Sequence, residues 1–428
     1  MHRNPASNDS GLTTTWSWST AALTIVLTAP FLIFLSSITF TVQSMQGQTL
    51  QVIHNFSGMG DGNIPESGLT MDADGHFYGT TAYGGTNNCG VVFSLTHVAS
   101  GWILKPIHSF TDSPDGCVPY GRVVIGPDGT LYGTTNGGGG ARWGTVFHLW
   151  PPSNAGSSAV TAWNESVLYS FASGDDGASP EGDLTLDPAG SIYGTTTRGG
   201  SYGQGVVYLL TLSDGRWTET PICATVGVPR GGVIFDRAGH LYGVGNGGGQ
   251  YGAGEIYRLS RSEPSWTKRT LYSFPGLPGT GYQPEGGLIM DSSGILYGTT
   301  AGGGTGGGGT VFELAPTVPG WYFNSLYDLV GPGAGPVEKL AMGPDGSLYG
   351  TTEDDGAYGK GSVFKLKPMN GGWTYTTLHD FTGGSDGGYP ISGIVIDSAG
   401  NLYGTAYAGG TGQGCYAGAC GVVWEITP

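Results

Sequence analysis

Short apolar runs separated by glycine-rich turns repeat along the chain after about residue 50. One unit contains an apolar run such as Gly68-Leu69-Thr70-Met71, a four-residue turn of Asp, Pro or Gly, and a Tyr-Gly segment. This order predicts a β-hairpin. A Gly-Gly loop follows in most copies and leads to a third apolar run, for example Val91-Val92-Phe93. No long run with helical periodicity follows residue 45, so we predict short strands and no helices.

The Tyr-Gly pair defines the repeat, and a glycine stands three residues before each tyrosine. The pair recurs at Tyr78, Tyr132, Tyr193, Tyr242, Tyr297, Tyr349 and Tyr403. We interpret it as blade architecture, since a glycine inside a strand often marks a neighbouring ring that packs over it. A fourth strand is indicated by a Trp and a Phe eight residues apart, as in Trp102 and Phe110. The even interval places both on one face of that strand if no bulge intervenes.

The two ends of the chain predict how the repeats are joined. The seventh copy stops after its third strand, whereas Gln48 to Phe56 shows the eight-residue interval of a fourth strand before the first copy. Pairing these two pieces removes two exposed sheet edges. We therefore predict an all-β fold for residues 47–428. It is a seven-bladed β-propeller with four-stranded antiparallel blades, closed by an N-terminal strand that pairs with the C-terminal blade.

Residues 1–46 have a different character. An uncharged apolar stretch runs from about Ala21 to Val42 and is interrupted by Pro30. Its length favours an N-terminal membrane anchor, whereas the proline and the polar residues favour a cleaved signal peptide. Both alternatives remain open. Either one places the propeller in an extracytoplasmic location, meaning secreted, periplasmic or on the cell surface.

Charge narrows the range of partners. The chain has 16 Lys and Arg against 32 Asp and Glu, a formal net charge of −16. So acidic a protein is a poor nucleic-acid binder, because phosphate contacts need a basic surface. We expect contact with a membrane only through the N-terminal segment, and we expect a monomer.

The repeated phrase itself resembles a known family. Leu131-Tyr132-Gly133-Thr134-Thr135 and Leu296-Tyr297-Gly298-Thr299-Thr300, followed by Gly-Gly and Gly-Thr-Val-Phe, are similar to the GloVer (Gloeo/Verruco) tandem repeat. The resemblance covers nearly all of the chain after residue 50. It implies an exported bacterial protein of unassigned biochemical function. Members of that family often carry a C-terminal surface anchor. This chain ends at Ile426-Thr427-Pro428 without an apolar tail, so we expect any anchoring to be N-terminal.

Topology predicts where a site would lie. In a four-stranded blade the fourth-to-first and second-to-third strand connections emerge at the same end of the ring. The connection from the fourth strand of one blade to the first strand of the next contains a recurring proline. The residue directly after that proline then lies near the mouth of the central channel. In order these residues are Glu66, Tyr120, Glu181, Arg230, Glu285, Val337 and Ile391. Because they vary while the proline does not, we take Glu66, Tyr120, Glu181, Arg230 and Glu285 as the candidate binding site. The alternative is solvated loop charges without a ligand, with Arg230 simply paired to Glu181 or Glu285.

The five cysteines suit an oxidising compartment. Cys415 and Cys420 share one loop, and Cys89 and Cys117 lie in loops at the same end of the ring. We predict these two disulfides. Cys223 fills a repeated packing position in the fourth strand, so we expect it to be buried and reduced.

No pattern indicates a resident metal or cofactor. His54, His108 and His379 fill the same fourth-strand position as Cys223, and no zinc-type spacing is present. The Asp-rich turn Asp72-Ala73-Asp74-Gly75 suggests Ca²⁺, but EF-hand ligand spacing is missing and Asp-Gly is a common turn dipeptide. We therefore expect no cofactor and no metal, with Ca²⁺ as the alternative.

Two functional hypotheses remain. The first is an exported, non-catalytic binding or scaffold module that uses the glycine-rich loop face for a glycan, a peptide or a surface partner. The alternative is a carbohydrate- or ester-active enzyme, a hydrolase or lyase, with channel-mouth carboxylates as acid and base. Fold-level analogy with other propellers, which include both binding modules and enzymes, does not decide between them.

Overall fold

A computed structural model describes residues 48–153, 162–224, 227–262, 265–277, 279–331, 335–336, 338–412, 414–415 and 420–427. The N-terminal segment 1–46, predicted to be a signal peptide or an anchor, lies outside this part. Among the described residues there is no helix long and apolar enough to cross a membrane.

The described residues form antiparallel strands connected by turns and loops. In chain order the strands are β1 (Thr49–Asn55), β2 (Thr70–Met71), β3 (Phe77–Thr81), β4 (Val91–Val98), β5 (Gly101–Ser109), β6 (Val124–Ile125), β7 (Leu131–Thr135), β8 (Thr145–Trp150), β9 (Asn164–Ser170), β10 (Thr185–Leu186), β11 (Ile192–Thr195), β12 (Val206–Ser213), β13 (Arg216–Ala224), β14 (Ile234–Phe235), β15 (Leu241–Gly245), β16 (Glu255–Ser262), β17 (Ser265–Ser273), β18 (Gly281–Tyr282), β19 (Ile289–Met290), β20 (Leu296–Thr300), β21 (Gly302–Gly303), β22 (Gly307–Pro316), β23 (Trp321–Val330), β24 (Ala341–Met342), β25 (Leu348–Thr352), β26 (Ser362–Met369), β27 (Gly372–Asp380), β28 (Val395–Ile396), β29 (Leu402–Ala406) and β30 (Val422–Thr427).

These strands build the seven-bladed β-propeller that the repeat predicted. The first six blades are four-stranded sheets whose strands follow one another along the chain, and the short β18 and β21 extend the fifth blade. The seventh blade has the order β1-β30-β29-β28, so its outer strand comes from the N-terminal end of the propeller. Leu50 pairs with Ile426 and Asn55 with Val422. The predicted closure is confirmed.

Hydrophobic clusters lie between neighbouring blades all the way round the ring. Phe77 and Phe93 of the first blade share one cluster with Tyr403 and Val423 of the seventh. The other clusters join the remaining neighbours in sequence. The core is therefore a ring of equivalent interfaces, and burial of this apolar surface stabilises the closed circle.

The Tyr-Gly pair has the structural role predicted for it. An added Cβ at Gly298 would lie 2.6 Å from the Phe312 ring, and at Gly404 it would lie 2.3 Å from Trp424. The same contact recurs in the other five blades, so an aromatic ring of the third strand covers each of these glycines. The following threonine often joins blades. For example, the Thr405 hydroxyl donates to the Ser67 carbonyl at 2.9 Å, across the closure.

A bulge changes the expected geometry of the fourth strand. In the first blade, Val92 pairs with His108 and Phe93 with Pro106, which leaves Ile107 as an extra residue; the same shift occurs in every blade. The extra residue reverses the alternation of faces. Trp102 therefore packs toward the seventh blade and Phe110 toward the second. The even spacing does not place them on one face.

The shared His, Tyr and Cys position of the fourth strand holds the loop that follows it. His108 Nε2 lies 3.2 Å from Asp115 Oδ2 seven residues later, and the Tyr169 hydroxyl donates to Asp176 at 3.1 Å. His54 and His379 make the same pairing with Asp61 and Asp386. These contacts fix the loop that leads to the channel mouth.

Both predicted disulfides are present, Cys89–Cys117 and Cys415–Cys420. Cys223 is free, as expected, but it is half-buried rather than buried. It stands where the following loop is shorter and lacks the aspartate that would pair with this position.

Candidate functional site

The two kinds of loop predicted to share one end of the ring do meet there. Asn63, in the loop before the first blade, pairs with Tyr83 of that blade's second-to-third strand loop. Cys117 with Gly137, Ala178 with Arg198, and Gly388 with Ala408 repeat the arrangement. Glycine is required at this contact, since an added Cβ at Gly84 would lie 2.6 Å from the Gly62 Cα and its φ is +82°. The mouth is therefore built from loops tied to each other in pairs.

A cavity of about 500 Å³ opens at this end of the channel. All five candidate residues, Glu66, Tyr120, Glu181, Arg230 and Glu285, line it, and so does Ile391. Val337 lies outside the described residues. The fold thus brings together residues that are far apart in the chain, as the comparison of the repeats predicted. Their role as a binding site stays a prediction.

The carboxylates at the mouth differ in their hydrogen-bond and ion-pair partners. Asn246 donates to Glu285 at 2.6 Å, and the Arg230 guanidinium lies 3.7 Å from the same carboxylate. Arg230 therefore pairs with Glu285, one of its two expected partners. Asn136 and Thr197 donate to Glu181 at 3.1 and 3.3 Å.

Burial has the same effect on Glu66 and Glu181, since it raises the pKa of both carboxyl groups. Burial raises the pKa of Glu66 to about 7, and the negative charges of Glu181 and Glu353 add to the effect. Burial also raises the pKa of Glu353. A carboxyl group with a pKa near 7 exchanges its proton at physiological pH, which is a property of groups at functional sites.

The cavity also contains charged residues that the sequence alignment did not select. Arg122 and Asp183 form an ion pair on the channel wall, with Arg122 Nε and Nη2 at 2.9 and 2.5 Å from Asp183 Oδ2. The Arg122 backbone N–H donates to the other carboxylate oxygen at 3.1 Å. Burial alone would raise the pKa of Asp183, but the charge and hydrogen bonds of Arg122 outweigh it and hold that pKa below its ordinary value. Asp183 is therefore ionised at neutral pH.

Glu338 and Lys339 complete this inner group. Burial raises the pKa of Glu338 to about 8, and the negative charge of Asp183 contributes in the same direction. Burial lowers the pKa of Lys339, and the neighbouring positive charge of Arg122 lowers it further. We call Arg122, Asp183, Glu338 and Lys339 the channel floor.

Tyrosine rings flank the acidic side of the mouth. Tyr389 and Tyr407 stack with ring centroids 5.4 Å apart. Burial raises the pKa of Tyr407 to about 12, with Glu353 as the next contribution. Burial and the nearby Glu66 charge raise the pKa of Tyr120. The phenols of Tyr120 and Tyr407 therefore stay protonated and can donate hydrogen bonds beside the carboxylates.

A signal for the missed residues was present in the repeat. Arg122, Asp183 and Lys339 stand three residues after the recurring proline, where the other blades have glycine. Glu338 stands two residues after it, and Glu353 stands four residues after a repeat tyrosine. A comparison of those positions across the blades identifies them, because each is a charged residue where most other blades have a small or uncharged polar one.

In the Asp-rich turn, both carboxylate oxygens of Asp72 already make hydrogen bonds within the turn. Asp72, Asp74 and His76 place ligand atoms within 4.8 Å of each other. However, one Asp72 oxygen accepts the backbone N–H groups of Asp74 and His76, and the other contacts the His76 ring and the Tyr78 hydroxyl. This is the local bonding of an Asx turn.

A family model described as the Gloeobacter/Verrucomicrobia repeat matches residues 38–166 and 228–428. The chain belongs to the Gloeobacter/Verrucomicrobia repeat family. The resemblance of its repeated phrase is thereby confirmed. No curated protein matches this member of the family.

Several solved structures are similar to the chain at low identity. A Bacteroides uniformis protein provisionally described as a 6-phosphogluconolactonase is 14% identical, with 79% of this chain and 89% of that one covered and a TM-score of 0.47. A Thermus thermophilus protein provisionally described as an oxidoreductase (glucose dehydrogenase) is 15% identical, with 89% and 100% covered and a TM-score of 0.42. A Dyadobacter fermentans protein of unknown function is 12% identical, with 90% and 100% covered and a TM-score of 0.45. Such values carry no argument about activity.

Proposed function

We propose that this repeat protein is an extracytoplasmic, non-catalytic binding module that holds the end of a glycan in the channel-mouth cavity. The observation that carries the proposal is the convergence of unlike side chains from different blades on one cavity of about 500 Å³. Ligand pockets typically measure about 300–1,000 Å³. A seven-fold scaffold needs no such asymmetric group of charges for its own stability.

The chemistry of the wall supports a sugar. Carboxylates at Glu181 and Glu285 accept hydrogen bonds from hydroxyl groups, and Asn246 and Arg230 supply donors beside them. Tyrosine rings at the rim offer flat apolar faces with a polar tip. Peptide or other surface partners would need the surrounding loops as well as this cavity.

An extracytoplasmic location follows from the same proposal. The two disulfides support it, because disulfide bonds persist in oxidising compartments and are rare in the cytosol. Detection of the protein outside the cytoplasm by fractionation of the native host tests this part, and a cytoplasmic protein with reduced cysteines would contradict it.

A thermal-shift screen tests the binding role. A sugar held in the cavity should raise the melting temperature by about 3 °C at a hundredfold excess over its Kd. Glu66→Gln, Glu181→Gln and Glu285→Gln should reduce the shift, whereas Asp214→Asn, a matched carboxylate removal in an exposed turn, should not. Parallel samples with Ca²⁺ and with EDTA test the cation alternative. If no sugar shifts the melting of the parent protein, the glycan proposal fails.

A second candidate function is hydrolysis or elimination of a carbohydrate. The observation that favours it is the raised pKa of Glu66, about 7, beside Glu181, whose carboxylate accepts hydrogen bonds from Asn136 and Thr197. A protonated acid and an ionised base are the pair such reactions use. If polysaccharides are cleaved, Glu66→Gln should lower kcat by about 10²–10⁴. Unchanged turnover in that variant would contradict the enzyme.

A further inference from the structure

The ammonium group of Lys339, in the channel floor, has no hydrogen-bond acceptor among the residues that the structure describes. Lys339 lines the cavity and is partly buried. Among the described residues, no hydrogen bond or ion pair involves its Nζ; only its backbone N–H donates, to Glu338. A lysine ammonium carries three donors, and leaving them unpaired away from bulk water is costly. Oxygen acceptors for Lys339 therefore have to come from water or from a ligand.

The neighbouring carboxyl groups do not supply those acceptors. Asp183 is occupied by Arg122, which donates to both of its oxygens. Glu338 is largely protonated at neutral pH because burial raises its pKa to about 8. The floor therefore presents two basic side chains, Arg122 and Lys339, and one carboxylate, Asp183, that Arg122 already occupies. The bonds to Asp183 use Nε and Nη2 of Arg122, and among the described residues no hydrogen bond involves its Nη1.

We propose that Lys339, with the free edge of the Arg122 guanidinium, binds the carboxylate of an acidic sugar at the channel floor. This inference rests on the proposed glycan-binding function and names its ligand class, a uronic acid residue at the end of a glycan. The carboxylate enters first and lies against the two cations. The hydroxyl groups of the sugar ring then face the carboxylates and tyrosines of the mouth.

The acidic mouth makes the expected salt dependence unusual. Glu181, Glu285 and Glu353 repel an approaching anion, and salt screens this longer-range effect. The contact with Lys339 is short and largely buried, so salt weakens it less. Raising NaCl from about 50 mM to about 500 mM should leave the affinity for an acidic sugar unchanged or increased. A cationic ligand held by the mouth would lose affinity.

Calorimetry on the full chain tests the inference with D-glucuronate, its neutral methyl ester and D-glucose. Glucuronate should bind at least about tenfold more tightly than the ester or glucose, since hydrogen bonds to charged groups are strong. Lys339→Met should remove that preference while glucose still binds, and Lys339→Arg should keep most of it. Lys105→Met, an exposed lysine on the first blade, is the matched control and should change nothing.

The outcomes separate this inference from the proposed function. If glucose binds and Glu66→Gln weakens it, but glucuronate shows no advantage over its methyl ester, the acidic-sugar inference is wrong and the glycan site stands. An advantage that survives in Lys339→Met likewise overturns it. If no sugar binds at all, both proposals fail. The ester comparison uses the parent protein alone, so it decides the question even if a Lys339 variant does not fold.

Discussion

At the scale of single residues, the candidate site consists of departures from the repeat. Three residues after the recurring proline most blades have glycine, because the backbones crowd round the channel; an added Cβ at Gly232 would lie 2.2 Å from the Asp183 carbonyl oxygen. Arg122, Asp183 and Lys339 stand at that position in their blades, and their side chains line the cavity. The charged side chains at this position therefore lie close together, because the backbones around the channel are close together.

Glu338 should make the stability of the propeller depend on pH. Its folded pKa of about 8 lies above the ordinary value of 4.5, so the folded state binds more protons between these values. The free energy of unfolding should therefore fall as pH rises from about 5 to 8, with a contribution of at most about 1.4 kcal/mol per pH unit from one group. Glu338→Gln should flatten this part of the profile in urea denaturation.

Asp214→Asn is the control for that measurement, because Asp214 lies in an exposed turn at φ +53°, a conformation that asparagine tolerates. Glu66, with a folded pKa of about 7, should add a contribution of the same sign over a narrower range, from about pH 5 to 7. An identical pH profile in Glu338→Gln and the parent protein would mean that the Glu338 carboxyl is not held in its neutral form.

At the scale of strands, each blade depends on an aromatic ring laid over a glycine. The second strand supplies the glycine and the third strand the ring, as with Gly298 of β20 and Phe312 of β22. Because the two residues are cross-strand partners, the contact also fixes the register of the sheet. The fourth strand, in contrast, is adjusted by its bulge.

Gly298→Ala should lower the free energy of unfolding by about 1–3 kcal/mol, since its methyl group would overlap the Phe312 ring in a packed core. Gly372→Ala, in β27 with open space around it, is the matched control and should be nearly neutral. Adding Phe312→Leu to Gly298→Ala should recover part of the loss. Equal stability of the two alanine variants in denaturant titrations would contradict this account of the Tyr-Gly pair.

At the scale of the whole molecule, the ring explains how distant residues reach one place. Glu66 and Glu353 are far apart in sequence, yet the negative charge of Glu353 helps to raise the pKa of Glu66 at the mouth. Closure by β1 brings the first and seventh blades together and makes the ring continuous. A site assembled from several blades therefore needs the whole propeller.

The fold could be predicted from the sequence because seven copies of one pattern report the same local contacts independently. The first ring of mouth residues could be predicted because Glu66 and its counterparts follow an invariant proline. The floor was missed because residues such as Lys339 stand two positions beyond the one compared after the proline, and whether a side chain there reaches the channel depends on how closely neighbouring backbones pack around it. The bulge in the fourth strand was missed because an extra residue such as Ile107 leaves no mark in the alternation of side chains.

The most direct test of the central claim, that the channel mouth is the binding site, is carboxyl footprinting by mass spectrometry. The full chain would be labelled at Asp and Glu side chains with and without the sugar that gives the largest thermal shift. We predict that Glu66, Glu181, Glu285 and Glu353 are protected by the sugar, while Asp214 is labelled equally in both samples. Protection confined to residues away from the cavity, or no protection of these four glutamates at saturating sugar, would contradict the account.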